Sequence, residues 1–464
     1  MSGRLSSGHA RLDAVLGGGL WDDALTLIMG EPGTGKTLLA QQFVFANATR
    51  QRPALYVSTV SEPMEKILRY GRTLKFFSEE AVGNWVFYED LGGLLDERGL
   101  PAFVEELEAV IARRKPALVV IDSFKAVHAF AREPGDFRWF LHDFAARLST
   151  TGAASLWVGE YGPDELSREP EFAVADAIIS LSSTMSGERQ MRMLQVLKLR
   201  GSDFLSGRHG YRLSDNGLDV FPRLADLPVS DSYAMDDTRQ SSGIPALDSM
   251  IGTGYWPGSS TLVAGPSGAG KTVMGLSFIF AGARAGERGL IATLQENPVQ
   301  LARTAAGFGW SLDDPNVSLH YRSSVDLYID EWVHDVLERA EREGVRRLMV
   351  DSLGDLSFAS PDHVRFREYV YSFVQRCSHR GISVYMTMEV PDLFHLSRLS
   401  ETGISNMSDN VVLLQFLRGQ SQVKRAVTVL KTRASLHEPE IRQYTISNEG
   451  IVVGETFGEQ QNVD

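Results

Sequence analysis

The stretch Gly30-Glu31-Pro32-Gly33-Thr34-Gly35-Lys36-Thr37 returns 235 positions later as Gly265-Pro266-Ser267-Gly268-Ala269-Gly270-Lys271-Thr272. Each copy follows an apolar run (25–29 in the first) and precedes an amphipathic stretch (38–48 in the first), the pattern of a glycine-rich turn from strand to helix. Glycines at this spacing let successive backbone N–H groups curl around a phosphate, and the helix N-terminus adds partial positive charge. We therefore expect ATP to be held by Gly30, Gly33, Thr34, Gly35, Lys36 and Thr37 in one copy. Gly265, Gly268, Ala269, Gly270, Lys271 and Thr272 do the same in the other, with Thr37 and Thr272 as ligands of Mg²⁺.

The repetition extends well beyond the loops. Ser6-Ser7-Gly8 and Leu12-Asp13 return as Ser241-Ser242-Gly243 and Leu247-Asp248, Val120-Ile121-Asp122-Ser123 as Met349-Val350-Asp351-Ser352, and Lys198-Leu199-Arg200 as Lys431-Thr432-Arg433. The offsets are 229 for the aspartates and 233 for the later lysines, so one unit is duplicated with little drift, at a period too long for a solenoid. The expected layout is a first domain at 1–223, an acidic, aperiodic linker at 224–240, a second domain at 241–453 and a short acidic tail at 454–464. Strand and helix patterns alternate within each copy: helix at 103–114 before strand at 118–121, and helix at 331–343 before strand at 348–350. Such alternation implies an α/β fold with a mostly parallel sheet flanked by helices. Asp122 and Asp351 each close an apolar strand, which puts a carboxylate beside the glycine loop, where it would hold the metal directly or through water.

Composition excludes several classes. The 464 residues are 43% apolar and 23% charged, the balance of a folded globular chain. Forty-six Lys and Arg against 59 Asp and Glu give a formal charge of −13, the wrong sign for a surface that is wholly a nucleic-acid footprint. Cys377 is the single cysteine, no apolar run reaches the ~18 residues of a membrane helix, and the first residues lack a signal-peptide core, so the cytoplasm is the expected compartment. Histidines do not cluster at metal-ligand spacing, so Mg²⁺ carried with ATP is the only metal expected.

Together the S-x-x-x-x-L-D segment, the two phosphate loops, the V-x-D-S strands and the K-x-R pairs resemble the RecA superfamily, and specifically the KaiC family, over about 6–453. The resemblance implies two tandem RecA-like P-loop NTPase domains in a hexamer, with ATP between protomers. Lys198, Arg200, Lys431 and Arg433 match the family's trans-acting cations, which stabilise charge on the transferred phosphoryl group. The family's paired catalytic glutamates are incomplete: Ser61 and Gln295 replace the first, leaving Glu62 and Glu296 as bases. The resemblance also implies serine autokinase activity in the second domain. Ser405 matches the first phosphoacceptor and Asn406 replaces the second, so a two-site cycle is excluded. The eleven residues after Val453 are shorter than the tail by which the family engages an activating partner, which leaves the signalling partner unknown.

Three functions follow from these readings. The first is an ATP-driven switch with ATPase and serine autokinase activity. The second is a nucleotide-gated scaffold with negligible turnover, suggested by Ser61 and Gln295. The third, a DNA-dependent ATPase, needs basic, aromatic channel loops, whereas 161–173 and 390–405 carry few cations and several acids.

Overall fold

The computed structural model describes residues 3–59, 63–131, 134–186, 188–227, 238–325, 327–360, 362–390, 404–418 and 422–457. The chain divides into two compact units, Met1–Leu227 and Pro228–Asp464. At the inner ends of the expected linker, Leu224 is buried in a short 3₁₀ turn, and Gln240 bridges to Tyr255 and accepts a hydrogen bond from Ser383.

Each unit is built on a nine-stranded sheet. In the first, Val86–Asp90, Ala54–Ser58, Leu118–Asp122, Ala154–Gly159, Leu25–Gly30 and Ala177–Ser186 run parallel, in that order across the sheet. Arg189–Leu199, His209–Ser214 and Gly217–Phe221 then extend it as antiparallel strands. The second unit repeats the order strand for strand: Val317–Tyr321, Gly289–Thr293, Arg347–Asp351, Ser383–Glu389, Ser260–Gly265 and Asn410–Arg418 parallel, then Val423–Lys431, Arg442–Ser447 and Gly450–Thr456 antiparallel.

Helices cover both faces, which is why the central strands read as unbroken apolar runs rather than as alternation. On one face of the first sheet, Ile28, Tyr56, Val120 and Leu156 pack against Leu39, Phe43 and Val44 of the helix Lys36–Asn47. On the other, Leu27, Val57, Ile121 and Trp157 meet Phe103 and Leu107 of Gly92–Arg114 and Phe137, Leu141 and Phe144 of Pro134–Thr150. Burying one such Phe stabilises the fold by roughly 2–3 kcal/mol. The helix expected from 103 is preceded by another helical segment, and Gly99 (φ +74°) followed by Pro101 separates the two.

The repeated S-x-x-x-x-L-D segment has a structural role in both copies. The Asp13 carboxylate accepts from Ser6 Oγ and Ser7 N, both at 2.6 Å, and Asp248 accepts from Ser241 Oγ at 2.5 Å and Ser242 N at 2.7 Å. The aspartate thereby ties the entering chain to the short helix that carries it.

Candidate nucleotide sites

Both glycine loops leave the C-terminal end of a central strand and run into a helix that starts at the lysine. Gly35 and Gly270 sit at φ +94° and +93° as the helix N-caps, and a Cβ there would meet Leu213 at 2.8 Å and Ile446 at 2.6 Å. Only glycine combines that backbone with that packing. Around Gly33 and Gly268 the space is open, since a Cβ at either would meet nothing within 4 Å. The loop and helix N-terminus of the first domain open onto a cleft of about 770 Å³, lined also by Tyr70, Ser123 and Glu160.

The lysines fold back onto their own loops. Lys36 Nζ donates to Glu31 O at 2.9 Å and lies 3.8 Å from Glu160 Oε1; Lys271 Nζ donates to Gly265 O at 3.0 Å and Pro266 O at 2.9 Å. Burial lowers the pKa of both ammonium groups, opposed by Glu160, Asp122 and Glu31 around Lys36 and by Glu389 and Asp351 around Lys271. Thr34 is also turned inward, its Oγ1 donating to Glu31 O at 2.7 Å, while Ala269 is buried and its carbonyl accepts from Tyr444.

The structure brings together the threonine and aspartate of each copy. Thr37 Oγ1 donates to Asp122 Oδ2 at 2.7 Å and Thr272 Oγ1 to Asp351 Oδ2 at 2.9 Å. A hydroxyl beside a carboxylate is an oxygen-only donor set that fits Mg²⁺, and the open space at Gly33 and Gly268 fits a phosphate chain. The two aspartates are braced differently. Tyr56 donates to Asp122 Oδ2 at 2.6 Å from the strand on one side, whereas Thr387 donates to Asp351 Oδ1 from the strand on the other. Burial raises the pKa of Asp351, against the pull of its Thr387 and Thr272 hydrogen bonds and of Lys271.

Of the two expected bases, Glu62 lies outside the described residues. Glu296 is half-buried with Oε2 unpartnered, and its pKa is raised, first by burial and then by the charge of Asp351, against a hydrogen bond with Thr304. Gln295 beside it is exposed.

The K-x-R pairs lie far from the glycine loop of their own domain. Arg200 N donates to Asp176 O and Asp176 N to Leu25 O, which sets Arg200 level with Leu25, five residues before Gly30 on the same strand. That separation is about 16 Å along the sheet. Asp176 receives Arg200 at 3.1 Å and Leu25 N at 3.1 Å; Asp409 likewise receives Arg433 at 3.5 Å and Ser260 N at 2.9 Å. Lys198 Nζ rests on the carbonyls of Phe172 and Ala173, both at 3.3 Å. Lys431 Nζ rests on those of Ser405 at 3.1 Å and Ser408 at 2.7 Å. Ser405 lies in the helical turn Ile404–Met407 beside these cations, and Arg433 donates to Asn406 O at 2.9 Å.

Motif reading missed Tyr56, Thr387, Glu160 and Glu389. The two glutamates do carry a signal, because each directly follows or ends the strand lying between the loop strand and the aspartate strand, in register across the repeat. Tyr56 and Thr387 have no such signature, since they occupy non-equivalent positions.

Fold and site together define a P-loop ATPase with two RecA-like α/β domains. The family model described as "ATPase: KaiC" matches residues 5–225 and 240–457, and the chain belongs to that family. It is 27% identical over 474 residues to the circadian clock oscillator protein KaiC of Rippkaea orientalis, covering 97% of this chain and 88% of that protein. It is 29% identical to the protein of the same name from Parathermosynechococcus lividus, covering 95% and 83%. Its identity to the circadian clock protein KaiC3 of Synechocystis sp. is 27%, covering 98% and 92%. Among the described residues no helix is long and apolar enough to cross a membrane.

Proposed function

We propose that this chain, as ATPase domains 1–223 and 241–453 joined by 224–240, acts as an ATP-driven signalling switch that assembles as a homo-hexamer and phosphorylates itself on Ser405. The placement of the K-x-R cations carries the reading. Arg200 and Arg433 sit about 16 Å along the sheet from the loops of their own domains, so they fit a nucleotide held by a neighbouring copy. Ser405 lies at the same end of its sheet as Arg433, which favours transfer between copies over transfer within one.

ATP brings the γ-phosphoryl group, and Mg²⁺ supplies charge neutralisation across its oxygens. The chain's own residues do the rest. The glycine-loop amides and Lys36 or Lys271 orient the phosphates, Thr37 with Asp122 and Thr272 with Asp351 position the metal, and Lys198, Arg200, Lys431 and Arg433 meet charge developing at the neighbour's site. Glu296 takes the proton of the attacking water or hydroxyl in the second domain, and Glu62 does so in the first.

A base works ionised, so a raised pKa moves its acid limb upward. Phosphate release by the Lys36→Ala chain, whose second domain alone turns over, should fall on acidification at a pH above the ~4.3 of a free glutamate. The same limb surviving in the Lys36→Ala, Glu296→Gln chain would assign it to another group.

Intact-mass analysis after incubation with Mg-ATP tests the autokinase. One added phosphate is expected, and it should disappear in Ser405→Ala. Phosphate release without any added mass would leave an ATPase switch lacking kinase activity, and neither would leave the nucleotide-gated scaffold. DNA-dependent activity has less support, because Tyr161 and Phe172, the aromatic residues of the 161–173 loop, are buried and cannot stack on bases. The loop at 390–405 lies largely outside the described residues.

A further inference from the structure

We propose that His128, Glu169 and Glu171 form a binding site for one divalent transition-metal ion of the Zn²⁺ class, in the first domain and separate from the nucleotide cleft. One ligand atom from each of the three lies within 4.8 Å of the others. His128 Nδ1 is 3.2 Å from Glu169 Oε2 and 3.7 Å from Glu171 Oε1. Ligands held ~2.0–2.1 Å from a tetrahedral ion lie roughly 3.3 Å apart, so the three are already near coordination spacing.

Glu171 is the decisive member. It is wholly buried; its Oε1, 3.7 Å from His128 Nδ1, accepts from Tyr161 OH at 3.0 Å, and the second oxygen of the same carboxylate, Oε2, has no hydrogen-bond partner. A buried carboxylate with a bare oxygen is unfavourable unless a cation or donor meets it. Lys125, the neighbouring ammonium, is engaged elsewhere, by Glu165 at 2.6 Å and by the carbonyl of Glu160. The imidazole is held in place by stacking on Phe137, with centroids 3.9 Å apart and planes 8° from parallel, while Nδ1 faces the two acids. Tyr161 supplies the outer hydrogen bond that orients a ligating carboxylate.

His128 and Glu169 remain partly exposed, which leaves a side for a water ligand, the open fourth position of a three-ligand zinc site. Mixed imidazole and carboxylate donors favour Zn²⁺, Co²⁺ or Mn²⁺ over Mg²⁺ or Ca²⁺. The expectation that Mg²⁺ would be the only metal rested on spacing. These ligands are 41 and 43 positions apart in sequence and meet only in the fold. The site is particular to the first repeat, since Ser357 stands six residues after Asp351 where His128 stands six after Asp122. An ion there ties the helix Phe124–His128, which follows Asp122, to the helix Glu171–Val174, whose Phe172 and Ala173 carbonyls hold Lys198.

The test uses the whole 464-residue chain without nucleotide, titrated with Co²⁺ followed by its visible d–d bands and with Zn²⁺ by calorimetry. One ion per chain is expected, with affinity falling at least about ten-fold in both His128→Ala and Glu169→Gln. Glu169 is partly exposed, so its variant should keep the metal-free thermal midpoint of the parent and report on binding alone. Zn²⁺ affinity and stoichiometry unchanged in both variants would overturn the site. So would failure of the parent to bind either ion, in which case the cluster is a histidine–carboxylate pair.

Discussion

Chains carrying both Lys36→Ala and Lys271→Ala should release phosphate from ATP no faster than a blank, with each single variant losing its own domain's share by about 10²–10³. Each lysine is the cation nearest its loop's backbone, packed so that Nζ reaches the loop carbonyls at 2.9–3.0 Å, and nothing else in the loop carries positive charge. Alanine removes that charge from the β and γ oxygens and leaves the amides alone to hold the phosphates. Because Lys36 is buried and Lys271 half-buried, the variants lose an unfavourable desolvation as well, so the fold should survive and circular dichroism should match the parent. Steady-state phosphate release, measured on both singles and the double, separates the contributions of the domains. Undiminished release from the double variant would show that turnover does not run through these loops.

Arg200→Ala and Arg433→Ala should leave ATP affinity nearly intact while lowering turnover by about 10³ or more, the effect of removing a cation that meets charge only in the transition state. Both guanidinium groups are more than half exposed and paired to a single aspartate, so their loss costs the fold little. The decisive form of the experiment mixes two inactive chains. One carries Lys36→Ala and Lys271→Ala with intact arginines; the other carries Arg200→Ala and Arg433→Ala with intact loops. Action between copies predicts that co-assembled chains regain phosphate release, because some interfaces join a sound loop to a sound arginine. Action within one chain predicts none.

Part of this protein was legible in its residues. The glycine loops, the aspartate strands and the duplication are local or periodic signals, and the strands Leu25–Gly30, Leu118–Asp122 and Arg347–Asp351 lie within a residue or so of the bounds their apolar runs imply. Local chemistry dictates these elements: a strand covered on both faces is apolar throughout, and a tight turn at positive φ requires glycine. The K-x-R pairs were legible as residues, but their distance from their own loops depends on strand register, which no spacing in the chain encodes.

The encounters between distant segments come from the fold alone. Tyr56 against Asp122, Thr387 against Asp351, Glu160 beside Lys36, and His128 among Glu169 and Glu171 join residues brought together by sheet order and loop packing. The raised pKa of Glu296 is of the same kind, since burial and the charge of Asp351 act through space. Residue type and short spacing set which candidate groups the chain carries, the glycine loops and the strand-ending aspartates among them. The fold decided which groups meet, because coordination, desolvation and charge fall off over a few ångströms regardless of separation along the chain.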